Sequence, residues 1–402
     1  MVRDWRVLFG SGLREMRVSQ QILPREAYIG SDWFARERSS IFARGFHFAG
    51  YAEDLKNPGD FSAVQICGFP IFILRDQDGG LRAFHNLCRH RGTELLEGRG
   101  NCGKTIVCPY HRWTYMLDGR LRGLPNRELF EALNREELGL KPATIGQWKG
   151  MLFVSPDPNA DFGDWIAPLA GAAFPHDIET ADLVRGKEFI YRINCNWKVF
   201  FENAIDGYHL AYLHEHTLGG PEPALNEWAQ HGDHMVWYST ERDGIRNRIP
   251  KFVEEQAAKT SMATIPGAEA PGYGGVYMLY PTTIITPSPW SLTVSSMEPV
   301  DAETTILRAT TFVANSWFRY SESPADAEGF DKATGVIESK NWKKHPLETG
   351  DFQTEDIWVC EKMQRSLSSP EYEVGPLAQG AGAETPLSVF QTMILKGVGQ
   401  TN

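Results

Sequence analysis

Two short runs in the first third of the chain, Cys88-Arg-His90 and Cys108-Pro-Tyr-His111, carry side chains that hold iron and are separated by seventeen residues. Two thiolates and two imidazoles suit an asymmetric [2Fe–2S] cluster, with two Cys on one iron and two His on the other, at a higher reduction potential than an all-Cys cluster. Such a cluster only moves electrons. Further along, Asn196-Trp-Lys198 leads into Glu202-Asn203, Asp206-Gly-Tyr-His209 and His214, and an acidic pair, Glu355-Asp356, opens a helix-like segment. Two His and one carboxylate on one face of an iron leave its other positions open, the facial triad of O2-activating non-haem Fe(II) enzymes. The chain reads as an electron-transfer module followed by a site that spends the electrons.

Structural zinc is the commoner occupant of Cys2His2 sets. Zinc pairs usually read Cys-x2-4-Cys and His-x3-5-His, however, whereas here each run supplies one Cys and one His. A carrier with a decayed second site is the other competitor, and the intact His209, His214 and Asp356 set speaks against it. About three irons per chain would mean an oxygenase, and about two a carrier.

The elements that must position these ligands follow from the pattern. Phe61–Ile66, Ile71–Leu74 and Leu81–Phe84 are short apolar runs split by Gly-Phe-Pro and Asp-Gly-Gly, and Trp113–Leu117 with Asp118-Gly119 gives another hairpin. The first ligand run follows a strand and the second precedes one, so two loops at the tip of a small antiparallel β domain gather four ligands. This domain is placed at 45–155. After Pro156 the pattern predicts helices over 197–213 and 354–368 and strands over 276–286, 290–298 and 304–313. That is an α+β arrangement, helices on one antiparallel sheet, over 156–402. Residues 1–44 form an N-terminal segment expected to pack on this second domain. The stretches 217–235 and 255–275, rich in Gly, Pro, Ala and polar residues, read as long loops.

Composition narrows the setting. At 402 residues the chain holds two ordinary domains, and its six Cys show no paired spacing beyond the two ligand runs, which fits a reducing cytoplasm. No secretory leader and no apolar run long enough for a membrane span is evident. A net charge of −11 disfavours a nucleic-acid partner. No Gly-x-Gly-x-x-Gly fingerprint occurs, so NAD(P)H electrons must come through a separate reductase or ferredoxin.

Cys88-x-His90-Arg91-Gly92 and Cys108-Pro-Tyr-His111-x-Trp-Thr-Tyr resemble the motif of Rieske non-haem iron oxygenases, the ring-hydroxylating oxygenase large (α) subunit family, and the resemblance runs over most of the chain. The respiratory-complex Rieske type has an extra Cys in each loop; Thr93 and Tyr110 stand there instead. The resemblance implies an all-β Rieske [2Fe-2S] domain and a catalytic domain with mononuclear Fe(II), and an oxygenase that takes one or both atoms of O2 to its substrate.

For the iron ligands, periodicity and resemblance differ. Asp206 and His209 share a helix face, with Glu202 one turn earlier. His214 would lie about 140° round an ideal helix from His209, whereas His216 returns to the same face. The family pattern Asp-x2-His-x4-His selects His214, which requires the helix to loosen or end nearby, and leaves His216 as the fallback. The resemblance also gives Asp356 as third ligand, with Glu355 its polar neighbour, and Asp206 as a bridge between His209 and His111 of a neighbouring subunit. It therefore implies a homotrimer, with or without a β subunit. Asn203, Phe200 and Leu213 are candidate pocket residues; Phe201 and Tyr208 read as core or wall. The wording around Asp206 tilts toward an aromatic or aromatic-acid substrate, since the branch that demethylates quaternary amines often bridges through Glu. Arg192, Arg246 and Arg248 are the candidates to meet a substrate carboxylate.

Overall fold

The computed structural model describes residues 21–130, 133–172, 174, 176–218, 226–239, 275–288, 291–315, 322–380 and 383–399. The chain forms two compact units. One spans Arg38–Ala167 with Asp177–Glu179, and the other holds the rest of the described chain, including the segment up to Glu37. The first 44 residues are thus divided between the units, and the first unit runs a few residues beyond 45–155 at both ends.

The first unit is all β apart from short helices. Strands β1 (His47–Tyr51), β2 (Asp60–Ile66), β3 (Phe69–Arg75), β4 (Leu81–His85) and β5 (Arg99–Asn101) join β9 (Pro142–Trp148) and β10 (Met151–Ser155) in an antiparallel sheet ordered β1-β10-β9-β4-β3-β2-β5. Strands β6 (Thr105–Val107), β7 (Thr114–Met116) and β8 (Leu121–Gly123) form a separate three-stranded sheet. Strand β3 lies between two partners and buries Ile71, Phe72, Ile73 and Leu74 in succession, as a strand covered on both faces does. The β2–β3 turn places Cys67 and Gly68 at φ 48° and 83°, the paired positive angles of a two-residue hairpin. At Gly119, φ is 88° and a Cβ would come within 2.4 Å of the Phe84 ring, so only glycine fits between the two sheets.

The second unit is built on a nine-stranded sheet, β12-β13-β14-β15-β16-β17-β11-β19-β18. Its long members are β11 (Leu183–Ile193), β16 (Ser291–Pro299) and β17 (Thr305–Ala314). The expected run 276–286 is a hairpin of β14 (Val276–Leu279) and β15 (Thr283–Pro287), broken at Tyr280-Pro281 because proline cannot donate within a ladder. Residues 226–239, which overlap the expected loop 217–235, form another hairpin, β12 (Asn226–His231) with β13 (His234–Ser239). The expected loop 255–275 lies outside the described residues but for its last position. The last pair is β18 (Phe330–Asp331) with β19 (Val336–Glu338), and β19 runs parallel to β11.

The longer helices of this unit, among the described residues, are α1 (Ser31–Glu37), α2 (Trp197–Ile205), α3 (Phe352–Leu367) and α4 (Thr385–Gly397). Helix α2 carries almost no exposed residue and packs on both α3 and α4. Its N-cap is Asn196, whose side chain accepts from the Lys198 N–H, and its core contact is the Phe201 ring stacked on Phe390 of α4 at 4.3 Å. Beneath it runs a buried polar spine. Lys198 Nζ pairs with Glu37 at 2.7 Å, both wholly buried, while the Trp33 and Trp197 indoles donate to the same carboxylate. Glu202 accepts from Tyr28 Oη at 2.8 Å and Gln391 Nε2 at 2.9 Å. These bonds tie the N-terminal segment and α4 to the helix that leads into the iron-type ligands. Among the described residues no helix is long and apolar enough to cross a membrane.

Candidate functional site

The four residues expected to hold a cluster sit on two loops with one backbone plan. In the first, the Cys88 N–H donates to the Thr93 carbonyl and the Cys88 carbonyl accepts from Gly92. In the second, the Cys108 N–H donates to the Trp113 carbonyl and the Cys108 carbonyl accepts from Arg112. The residue four after each Cys is left-handed, Gly92 at φ 75° and Arg112 at φ 61°. The two turns bring Nδ1 of His90 and Nδ1 of His111 to 3.2 Å, and the Cys88 thiol within hydrogen-bonding reach of Cys108. This is the pairing that the asymmetric cluster needs, nitrogens at one end and sulfurs at the other.

The surroundings of the two ends differ. Both Cys lie in an apolar core with Phe72, Ile106, Trp113 and Leu117. Tyr115 Oη lies 3.3 Å from Cys88 Sγ and accepts the Arg89 N–H at 3.0 Å. The His end reaches the surface: the Trp113 ring stacks on His90 at 4.9 Å, and Tyr110, 56% exposed, lies over His111 at 3.6 Å. Burial, with His111 and Arg91 nearby, lowers the His90 pKa, which keeps its Nδ1 lone pair free for a metal.

In the second unit, the structure gathers His209, His214 and Asp356 so that one donor atom from each lies within 4.8 Å of the others. His209 Nε2 is 3.2 Å from His214 Nε2, and Oδ1 of Asp356 is 2.9 Å from the latter. Helix α2 stops at Ile205, Asp206 turns to extended backbone, and His209 caps a short helical turn at Leu210–Leu213 that ends at His214. Asp206 and His209 thus meet through a break, not along one helix face, and His214 reaches the same point from the far end of the turn. His216 is exposed and takes no part in the grouping. Asp356 arrives just past the first turn of α3, which Asp351 caps by accepting the Gln353 and Thr354 N–H groups.

Each imidazole has a carboxylate at its other nitrogen. His209 Nδ1 lies 3.2 Å from Oδ2 of Asp206, close in distance but off the hydrogen-bonding angle, and both groups are partly exposed. His214 Nδ1 donates to Glu355 Oε2 at 2.7 Å, both buried, and Thr217 Oγ1 donates to the same oxygen at 2.8 Å. Asn203 Nδ2 donates to Asp356 Oδ1 at 2.9 Å. Burial pulls the His209 pKa down, but the Asp206 and Asp356 carboxylates beside the ring outweigh it and push the group up to about 10. Burial alone would raise Asp356, and the two imidazoles hold it well below the usual carboxylate range. A site whose carboxylates call for positive charge, with both Nε2 atoms aimed inward, fits a divalent iron. Of the other expected residues, Phe200 is buried on α2, Leu213 is partly buried, and Tyr208 is 44% exposed beside Tyr212. Arg192 lies on β11 at 3.9 Å from Glu338, while Arg246 and Arg248 fall outside the described residues. Glu355 is a partner of His214 as much as a neighbour of Asp356, which the adjacent acidic pair hinted at.

The fold and the two donor sets fit an oxygenase with two metal centres, and comparison with known proteins gives the family. A Rieske [2Fe-2S] domain model matches residues 45–133, and the ring hydroxylating alpha subunit (catalytic domain) model matches residues 180–399. The chain belongs to the ring-hydroxylating α-subunit family of Rieske oxygenases. It is an EC 1.14-class terminal oxygenase, with a Rieske [2Fe-2S] cluster and a mononuclear iron as its cofactors. It is 28% identical to the carnitine monooxygenase oxygenase subunit of Acinetobacter baumannii over 87% of this chain and 86% of that one. It is 26% identical to the glycine betaine monooxygenase oxygenase subunit of Chromohalobacter salexigens over 90% and 83%. Among solved structures, a quaternary ammonium Rieske monooxygenase with L-carnitine bound superposes with a TM-score of 0.71 at 24% identity, covering 94% of this chain and 96% of that one. Naphthalene 1,2-dioxygenase from Rhodococcus sp. gives 0.66 at 19%, covering 94% and 95%. At these identities the two structures speak for the fold, which substrates as different as carnitine and an aromatic hydrocarbon share.

Proposed function

We propose that the protein is a monooxygenase of quaternary ammonium compounds of the betaine type, with Cys88, His90, Cys108 and His111 holding the cluster and His209, His214 and Asp356 holding the iron. The observation that carries this reading is the match to carnitine and glycine betaine monooxygenases along nearly the full length of both chains. It replaces the aromatic substrate expected from Asp206, because one carboxylate in place of another is a small signal beside likeness over whole chains.

The electrostatics support the same reading. Among the described residues, Asp206, Glu355 and Asp356 form no ion pair with Lys or Arg. Three carboxylates against one divalent iron leave about one negative charge, which favours a cationic headgroup nearby.

The reaction is oxidation of a carbon bonded to the quaternary nitrogen. With O2, two electrons and two protons, a C–H becomes C–OH and water is released; the resulting hemiaminal then breaks its C–N bond to give an aldehyde, a tertiary amine and a proton. The bound iron supplies the reductive activation of O2. The chain's own residues set its surroundings. Asp206, between His209 and His111 of a neighbouring copy in a homotrimer, would link the two imidazoles and give the electron its route. Asn203 orients Asp356. Electrons from NAD(P)H reach the cluster by a separate reductase, directly or through a ferredoxin.

The test is an anaerobic single turnover of pre-reduced, iron-replete protein with mixtures of betaines and aromatic acids, followed by 18O2 and mass spectrometry. An aldehyde with a tertiary amine supports the reading. 18O in an aromatic product would overturn it.

A further inference from the structure

The two imidazoles at the iron-type site are held by carboxylates of different character, and the difference points to a division of labour. Asp206 and His209 are both 16% exposed in their side chains, and their contact is poorly angled. The Asp206 carboxylate is also bound locally, its Oδ1 accepting the Tyr208 N–H at 2.6 Å. Glu355 and His214 are 2% and 1% exposed, joined at 2.7 Å in a well-formed hydrogen bond. Thr217, one turn beyond His214, locks the same carboxylate oxygen. Glu355 also precedes Asp356 on α3, so one helical turn delivers both an oxygen donor and the group that orients a nitrogen donor.

We infer that Glu355, with Thr217 behind it, is the positioning residue that retains the iron, whereas Asp206 serves electron entry and contributes little to retention. This inference rests on the ligand assignment proposed above. The physical reason is that a buried carboxylate accepting from Nδ1 fixes the ring's tautomer with the Nε2 lone pair facing the metal, fixes its rotation, and increases its donor strength. A partly exposed, poorly aligned carboxylate does each of these less well. Among the described residues the Glu355 carboxylate is held by His214 and Thr217 together, whereas the Asp206 carboxylate meets the His209 ring through one poorly aligned contact.

The experiment measures iron affinity by chelator competition and the electron paramagnetic resonance spectrum of the ferrous nitric oxide adduct, in wild type, Glu355→Gln, Thr217→Val and Asp206→Asn. The cluster's own spectrum serves as the folding control. Loss of an outer-shell partner of this kind typically costs about 10–100-fold in metal affinity. Glu355→Gln is expected to lose iron affinity in that range and to alter the nitric oxide spectrum, Thr217→Val to do so by a smaller factor, and Asp206→Asn to keep wild-type affinity. Equal affinity in Glu355→Gln and wild type, or a loss in Asp206→Asn as large as that in Glu355→Gln, overturns the inference. Wild-type protein that holds only the cluster irons would instead overturn the ligand assignment itself, so the two failures are distinct.

Discussion

Glu202 makes the stability of the catalytic unit depend on pH with a defined sign. Burial is the main cause that pushes its carboxyl up to about 7 from 4.5, against the hydrogen bonds of Gln391 and Tyr28 and the attraction of Lys198. Lys198 already has a charge partner in Glu37 at 2.7 Å, so a neutral Glu202 leaves the buried spine balanced, and an ionised one adds an unmatched charge. Between pH 4.5 and about 7 the folded state binds the proton that the unfolded state has released, so stability falls as pH rises and levels off above. At about 1.4 kcal/mol per pH unit, the full span is worth about 3 kcal/mol. Glu202→Gln keeps an oxygen to accept from Tyr28 and Gln391 and removes the titration. Urea unfolding of the two proteins at a series of pH values, at constant ionic strength, should show wild type losing about 3 kcal/mol more than the variant between pH 4.5 and 7.5. Parallel pH curves would refute the reasoning, because they would mean that Lys198 keeps Glu202 ionised in the fold.

Lys198→Met strands the Glu37 carboxylate in the core and should destabilise by about 3–5 kcal/mol in the same assay; a change under about 1 kcal/mol would show that Trp33 and Trp197 satisfy that charge alone. Tyr115→Phe removes the hydroxyl 3.3 Å from Cys88 Sγ, and loss of one hydrogen bond of about 1 kcal/mol to the reduced cluster should lower its potential by about 40 mV in a spectroelectrochemical titration. Asp206→Asn should keep both metals and the cluster's colour yet transfer no electron from a reduced cluster to the iron site, and normal single turnover in that variant would remove Asp206 from the electron path. His209→Ala should empty the mononuclear site and leave the cluster spectrum intact; full iron content there would refute its place as a ligand.

The Rieske unit was largely legible because its signals are local. Alternating short runs, Gly-containing turns and two ligand loops each lie within a few residues of what they shape, and the left-handed positions at Gly92 and Arg112 close each loop on itself. The catalytic unit was less so. Strand β11 begins Leu183-Val-Arg-Gly-Lys-Glu, with charges where a strand pattern would show alternation, and its pairing with β17 over nearly its whole length, with β19 on its other side, makes it a strand. The β12–β13 hairpin did carry a signal, the two-residue Gly232-Asp233 turn with Gly232 at φ 62°, hidden by a polar first strand. Helix α4 went unread although Pro386 near its start and Gly397 at its end bracket a helical pattern.

At the iron-type site, the sequence held the residues but not the reason for their spacing. Periodicity assumed one helix through 213 and so favoured His216; the helix instead breaks at Asp206, where the Gly207 N–H donates to the Ala383 carbonyl across 176 residues of chain. That distant bond, invisible to any local pattern, lies at the break beyond which His209 and His214 approach to 3.2 Å. The same limit governed the substrate. A motif can be read as Asp or Glu at position 206, but the charge that a substrate meets is a sum over groups that the fold gathers from positions 206, 355 and 356, with no arginine turned toward them among the described residues. Identity at one position says little about such a sum, and the surplus negative charge argues for a cation where the motif alone had argued for a ring.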